Sequence, residues 1–150
     1  MKGRAIMALL VSLTGGLAAS QAPELAQQYR QRLGGALDEI TQVVADFDAD
    51  AAQNGLRRDE ALTLYARTNT RFLRDRGESM RRIIDRFDHL QHQSVRLEEL
   101  PPVLRPMAIF AHPDSDVFEG TLRDFEPAVP LTPHGMIWTA AGLLGGFGVL

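Results

Sequence analysis

The chain has 150 residues, 45% hydrophobic and 23% charged, with no cysteine and a formal net charge of −3. That length suits one core and argues against two full-sized domains. The lack of cysteine excludes disulfide scaffolds, thiolate metal sites and thiol nucleophiles, and the acidic balance argues against a general nucleic-acid binder.

Charge is spread unevenly. All nineteen acids lie between Glu24 and Glu126, and fourteen of the sixteen bases between Arg30 and Arg123, with Lys2 and Arg4 as the others. A charge-free segment is left at each end. The first, Ala5 to Ala22, reads AIMALLVSLTGGLAASQA. Its basic start, apolar middle and Ala18-Ala19-Ser20 finish fit a cleavable secretory signal. As a helix the same residues reach about 27 Å, enough to cross a bilayer, and the uncleaved anchor is the favoured of the two readings. Lys2 and Arg4 place the N-terminus in the cytoplasm either way. Ala8, Ser12, Gly16 and Ser20 recur every four residues, a stripe of small side chains suited to close helix packing in a membrane.

Pro23 and Glu24 suit a helix start. Leu25, Tyr29, Leu33, Leu37, Ile40, Val44 and Phe47 then recur at threes and fours, predicting an amphipathic helix to about Gln53. Gly34-Gly35 interrupts it and marks a kink or a close crossing, while Asn54-Gly55 is a stop. A second long helix is predicted from Arg57–Asp59 to about Leu97, with a stripe of Leu62, Tyr65, Phe72, Met80, Ile83, Ile84, Phe87 and Leu90. Gly77 marks a bend in it. The short turn makes the two helices antiparallel and places Asp38 near the level of Arg71, acid facing base. Pro101-Pro102 ends the run.

A short helix around Pro106–Ala111 and another after Asp114 or Asp116 follow, with Glu126–Pro130 as an extended connector. The C-terminal segment, LTPHGMIWTAAGLLGGFGVL, is predicted as a second transmembrane helix. Thr132 caps it, Pro133 takes its first position and Trp138 suits the headgroup level. Ala141 and Gly145, and separately Gly142 and Gly146, repeat the small-residue spacing. The fold class expected is all-α: terminal transmembrane helices at 1–22 and 131–150, a helical hairpin at 23–100, and short helices with a connector at 101–130.

No catalytic constellation emerges. Asp85, Asp88, His89 and His92 lie within two turns of one helix but lack the zinc-protease spacing, so they read as a solvated polar face. Asp114-Ser115-Asp116 reads as a helix cap rather than a calcium loop. No cofactor is expected. From Arg67 to Arg86 there are seven arginines against Asp75, Glu78 and Asp85. Arg67, Arg71 and Arg74 are candidate contacts for an anionic partner, against the simpler reading that this face pairs with the acids of the first helix.

The runs SQAPELAQQYRQRLGGALDEI and VVADFDADAAQNGL, with AVPLTPHGMIW before a Gly-rich apolar end, resemble the bacterial family catalogued as domain of unknown function 2937. The resemblance spans nearly the whole chain. It implies a proteobacterial inner-membrane protein and carries no catalytic or binding residues across. The function expected is a non-catalytic accessory or scaffold subunit with a periplasmic helical domain. Its partners are membrane lipids and a membrane-protein partner or a second copy, with no nucleic acid. The alternative is a periplasmic module that binds or senses lipid headgroups, peptidoglycan or metal.

Overall fold

A computed structural model describes the backbone of residues 2–126 and 133–148 and the side chains of residues 10–126 and 133–144. In chain order the helices are α1 (Lys2–Ser20), α2 (Ala22–Gln53), α3 (Arg58–Arg67), α4 (Arg71–Glu99), a 3-10 turn (Pro102–Leu104), α5 (Arg105–Ala111), α6 (Ser115–Arg123) and α7 (Pro133–Gly148). There is no strand among the described residues, so the chain is all-helical. Two compact units form: Met1–Arg32 with Arg96–Leu150, and Leu33–Val95.

In the first unit, Tyr29, Pro106 and Ile109 are fully buried and Val117 nearly so. Burying side chains such as Ile109 and Val117 contributes about 1.5–3 kcal/mol each. The Tyr29 ring lies 6.3 Å from Phe118, which meets Phe110 edge-on at 6.1 Å. The Tyr29 hydroxyl accepts from the backbone N–H of Asp114 at 2.9 Å. Asp114 in turn caps α6, accepting from the N–H of Val117 at 3.0 Å. Arg32 pairs with Asp124 at 2.8 Å and lies across Gly120, where a Cβ would meet the guanidinium carbon at 2.6 Å. A hydrogen at that position leaves room for the arginine.

The second unit is built on Val44, Phe47 and Ala51 of α2, Ala61 of α3, and Met80 and Ile84 of α4. Phe47 stacks on Tyr65, ring centres 6.4 Å apart. Here the structure corrects the sequence reading. The single helix expected from Arg57 to Leu97 is broken at 68–70. Thr68, Asn69 and Thr70 are poor helix formers whose side chains compete for backbone groups. Thr68 turns extended, its Oγ1 accepts from the N–H of Thr70 at 3.4 Å, and its carbonyl accepts from Arg74 Nη1 at 2.9 Å. Gly77 is a contact rather than a bend: a Cβ there would lie 2.5 Å from Tyr65 Cβ. Phe72, assigned to the buried stripe, is 74% exposed.

The break also resets the register. Val44 and Phe47 share their cluster with Met80 and Ile84. Asp38 lies about 9 Å of helix before Val44, and Arg71 about 13 Å before Met80. In an antiparallel pair those offsets run in opposite directions. Asp38 and Arg71 are therefore not at one level, and Arg71 instead reaches Asp75 of its own helix at 3.7 Å. Gly34-Gly35 neither stops α2 nor meets a neighbour, with open space where each Cβ would stand.

Among the described residues no helix is long and apolar enough to cross a membrane. The two terminal segments expected to be transmembrane helices do not meet that criterion. α7 has 16 residues and α1 has 19, about 24 and 28 Å of helix. Thr132 and most of the connector, 127–132, lie outside the described residues.

Candidate functional site

α1 and α7 pack directly against each other. A Cβ on Gly142 would lie 2.5 Å from the carbonyl oxygen of Gly15 and 2.6 Å from Ala19 Cβ. On Gly16 it would meet Leu143 at 2.8 Å and the Thr139 carbonyl at 3.4 Å. Glycine is needed at this crossing because the two backbones nearly touch. Ser12, Gly16 and Ser20 are all buried, Ser12 to 1% exposure. Ser20 Oγ donates to its own helix at Leu17 O, 2.7 Å away. Ser12 Oγ has no partner among the described residues. Of the predicted packing residues, the side chain of Ala8 and the position of Gly146 in the packing lie outside the described residues.

The outward faces of the pair are the reverse of a water-soluble helix pair. Leu10, Leu13 and Leu17 on α1, and Met136, Ile137 and Leu144 on α7, are exposed, Leu17 to 69% and Leu144 to 73%. Small and hydroxyl side chains are inside while large apolar ones face out.

Where the pair ends, the chain forms a basic pocket of about 380 Å³. Gln27, Arg30 and Gln31 come from the first turns of α2, Arg105 from the start of α5, and His134 from the first turn of α7. Pro23 and Pro102 are among the apolar walls, and no carboxylate is among the described residues that line it. The indole N–H of Trp138 donates to the Val103 carbonyl at 2.9 Å, docking the 3-10 turn on α7. Arg105 is held firmly. Its Nε donates to the carbonyls of Leu97 at 2.9 Å and Leu100 at 3.1 Å, satisfying groups left open at the end of α4. Arg30 makes no hydrogen bond or ion pair among the described residues. Partial burial, and then the charge of Arg30, push the Arg105 guanidinium below its ordinary value, with Glu98 acting the other way.

The three arginines singled out from the sequence have different surroundings. Arg74 is engaged by the Thr68 carbonyl and Arg71 pairs with Asp75. Arg67 lies at an apolar cleft of about 510 Å³ bounded by Phe47, Leu56, Leu64, Tyr65 and Leu73. His89 and His92 lie on the exposed side of α4. Among the described residues no group of three or more His, Asp or Glu side chains could hold a metal ion. The basic pocket was missed from sequence because Arg30, Arg105 and His134 are far apart in the chain. The only signal was that His134 is the sole ionisable side chain of its segment.

A family model described as "Protein of unknown function (DUF2937)" matches residues 4–150, and the chain belongs to that family. No curated protein and no solved structure matches the chain.

Proposed function

We propose that this member of the DUF2937 family is an integral protein of the bacterial inner membrane. It acts there as a non-catalytic accessory or scaffold subunit whose helical body lies in the periplasm. The observation that carries the reading is the inverted pattern of α1 and α7. In water, exposed Leu10, Leu13, Leu17, Ile137 and Leu144 would be a standing cost, and the glycine contact would gain little from the hydrophobic effect. In lipid the preferences reverse. Apolar side chains then face acyl chains, and association rests on backbone approach at small residues. A pair about 24 to 28 Å long sits slightly short of a hydrocarbon layer of roughly 30 Å, and local thinning accommodates the mismatch. Lys2 and Arg4 favour a cytoplasmic N-terminus, which sends the body outward.

The subunit role draws on a second surface. Leu64, strongly exposed, and Leu73 line the apolar cleft. An apolar helix of a membrane-protein partner suits such a surface. The alternative, headgroup sensing through Arg67, Arg71 and Arg74, is weaker, since two of the three are already engaged within the chain.

Fractionation tests the reading. The tagged chain is expected in the membrane pellet after alkaline carbonate washing. In mild detergent it should comigrate with a stoichiometric partner or with further copies of itself. Release by carbonate would contradict membrane insertion, and a lone monomer in detergent would contradict the subunit role.

A further inference from the structure

We propose that the basic pocket at the end of the α1–α7 pair binds the phosphate of a phosphate ester, supplied by an anionic phospholipid headgroup at the bilayer surface. Arg30, Arg105, His134, Gln27 and Gln31 give five donor-bearing side chains around one space of about 380 Å³; no carboxylate is among its described lining residues, and Glu98 acts on Arg105 from outside the lining. Guanidinium groups match phosphate oxygens in geometry as well as charge.

The two arginines divide the work. Arg105 is fixed through Nε to the carbonyls of Leu97 and Leu100, and its Nη1 makes no bond among the described residues. A held guanidinium loses little freedom on meeting an anion. Arg30 has no hydrogen-bond or ion-pair partner among the described residues, so its charge is left for a ligand. An anion between the two cations relieves the repulsion that their proximity creates.

Position supports a lipid source. Gln27 and Arg30 stand in the first three turns of α2, which starts two residues after α1 ends, and His134 is the second residue of α7. The pocket is thus built where both apolar helices stop, the level at which a headgroup sits when the pair is inserted. In this respect the lipid source rests on the membrane reading above. The phosphate site itself does not.

The test uses the full chain in a neutral maltoside detergent, with native mass spectrometry after adding phosphatidylglycerol or phosphatidylcholine, and a separate titration with inorganic phosphate. Arg30→Gln is the informative variant, because Arg30 holds no bond among the described residues whose loss would unfold the chain. Arg71→Gln is the control. Retention of phosphatidylglycerol over phosphatidylcholine, weakened about tenfold or more by Arg30→Gln and unchanged by Arg71→Gln, supports the site and its lipid source. Arg30-dependent binding of inorganic phosphate without lipid selectivity supports the phosphate site and overturns the lipid source. Should Arg30→Gln leave both ligands unaffected, or neither bind, the site is overturned. Because the phosphate titration needs no bilayer, a failure of the membrane reading remains distinguishable from a failure of the pocket.

Discussion

Asp48 shows how much one ion pair contributes in this chain. Arg58 meets it through two bonds, Nε to Oδ1 at 2.8 Å and Nη2 to Oδ2 at 2.5 Å. Hydrogen bonding to Arg58 is the main cause holding the Asp48 carboxyl below its ordinary value, against a smaller opposing effect of burial. A carboxyl held below its unfolded value stabilises the fold at pH above that value, and the contribution fades as pH falls through the folded one. Arg58 is raised by the same bond, so it stays charged throughout and adds no slope in acid. Both side chains are more than a third exposed, so solvent screening limits the pair to about 1 kcal/mol or less. Asp48→Asn is therefore expected to melt a few degrees below the parent at pH 7, with a narrower gap at about pH 3. Melting curves in neutral detergent at the two pH values check this. A gap that persisted undiminished in acid would assign the loss to something other than the charge.

Among the helices, glycine has two opposite meanings. Gly142 stands where a Cβ would collide with backbone, while Gly34 stands in open space within α2. Gly142→Leu is expected to destabilise the α1–α7 pair by about 1–3 kcal/mol, since backbone cannot yield as a flexible side chain does. Gly34→Ala should instead stabilise by up to about 1 kcal/mol. Thermal unfolding of the two variants by circular dichroism decides, and equal effects would remove the close approach from the account. Spacing in the sequence was enough to put Ser12, Gly16 and Ser20 on one face, because four-residue recurrence is a property of helix geometry. It was also enough to place Leu25, Tyr29 and Val44 on the inner side of α2. The break at Thr68-Asn69-Thr70 was not legible. It carries neither proline nor glycine, and its cause is partly tertiary: Arg74 takes the Thr68 carbonyl, and Tyr65 packs on Gly77. Once α3 folds back, the register of α2 against α4 moves, and the acid-to-base facing inferred for Asp38 and Arg71 moves with it.

For the whole molecule, the average composition conceals the division that matters. The net charge of −3 separates into +2 from Lys2 and Arg4 and −5 from the fourteen bases and nineteen acids that follow. The basic pocket is an exception inside that acidic body, made by residues more than a hundred positions apart, which no local spacing could reveal. Its meaning depends on where the α1–α7 pair resides. The central claim is that the exposed leucines of the pair face lipid while the rest of the chain faces the periplasm. Since the chain has no cysteine, single substitutions can report this without background. Leu13→Cys lies on the exposed face of α1, and Gln91→Cys on the exposed side of α4. In cells with an opened outer membrane and an intact inner one, an impermeant maleimide is expected to label Gln91→Cys readily. Leu13→Cys should stay unlabelled until detergent is added. Equal labelling of both before detergent would contradict a lipid-facing pair, and labelling of Gln91→Cys only after lysis would contradict a periplasmic body.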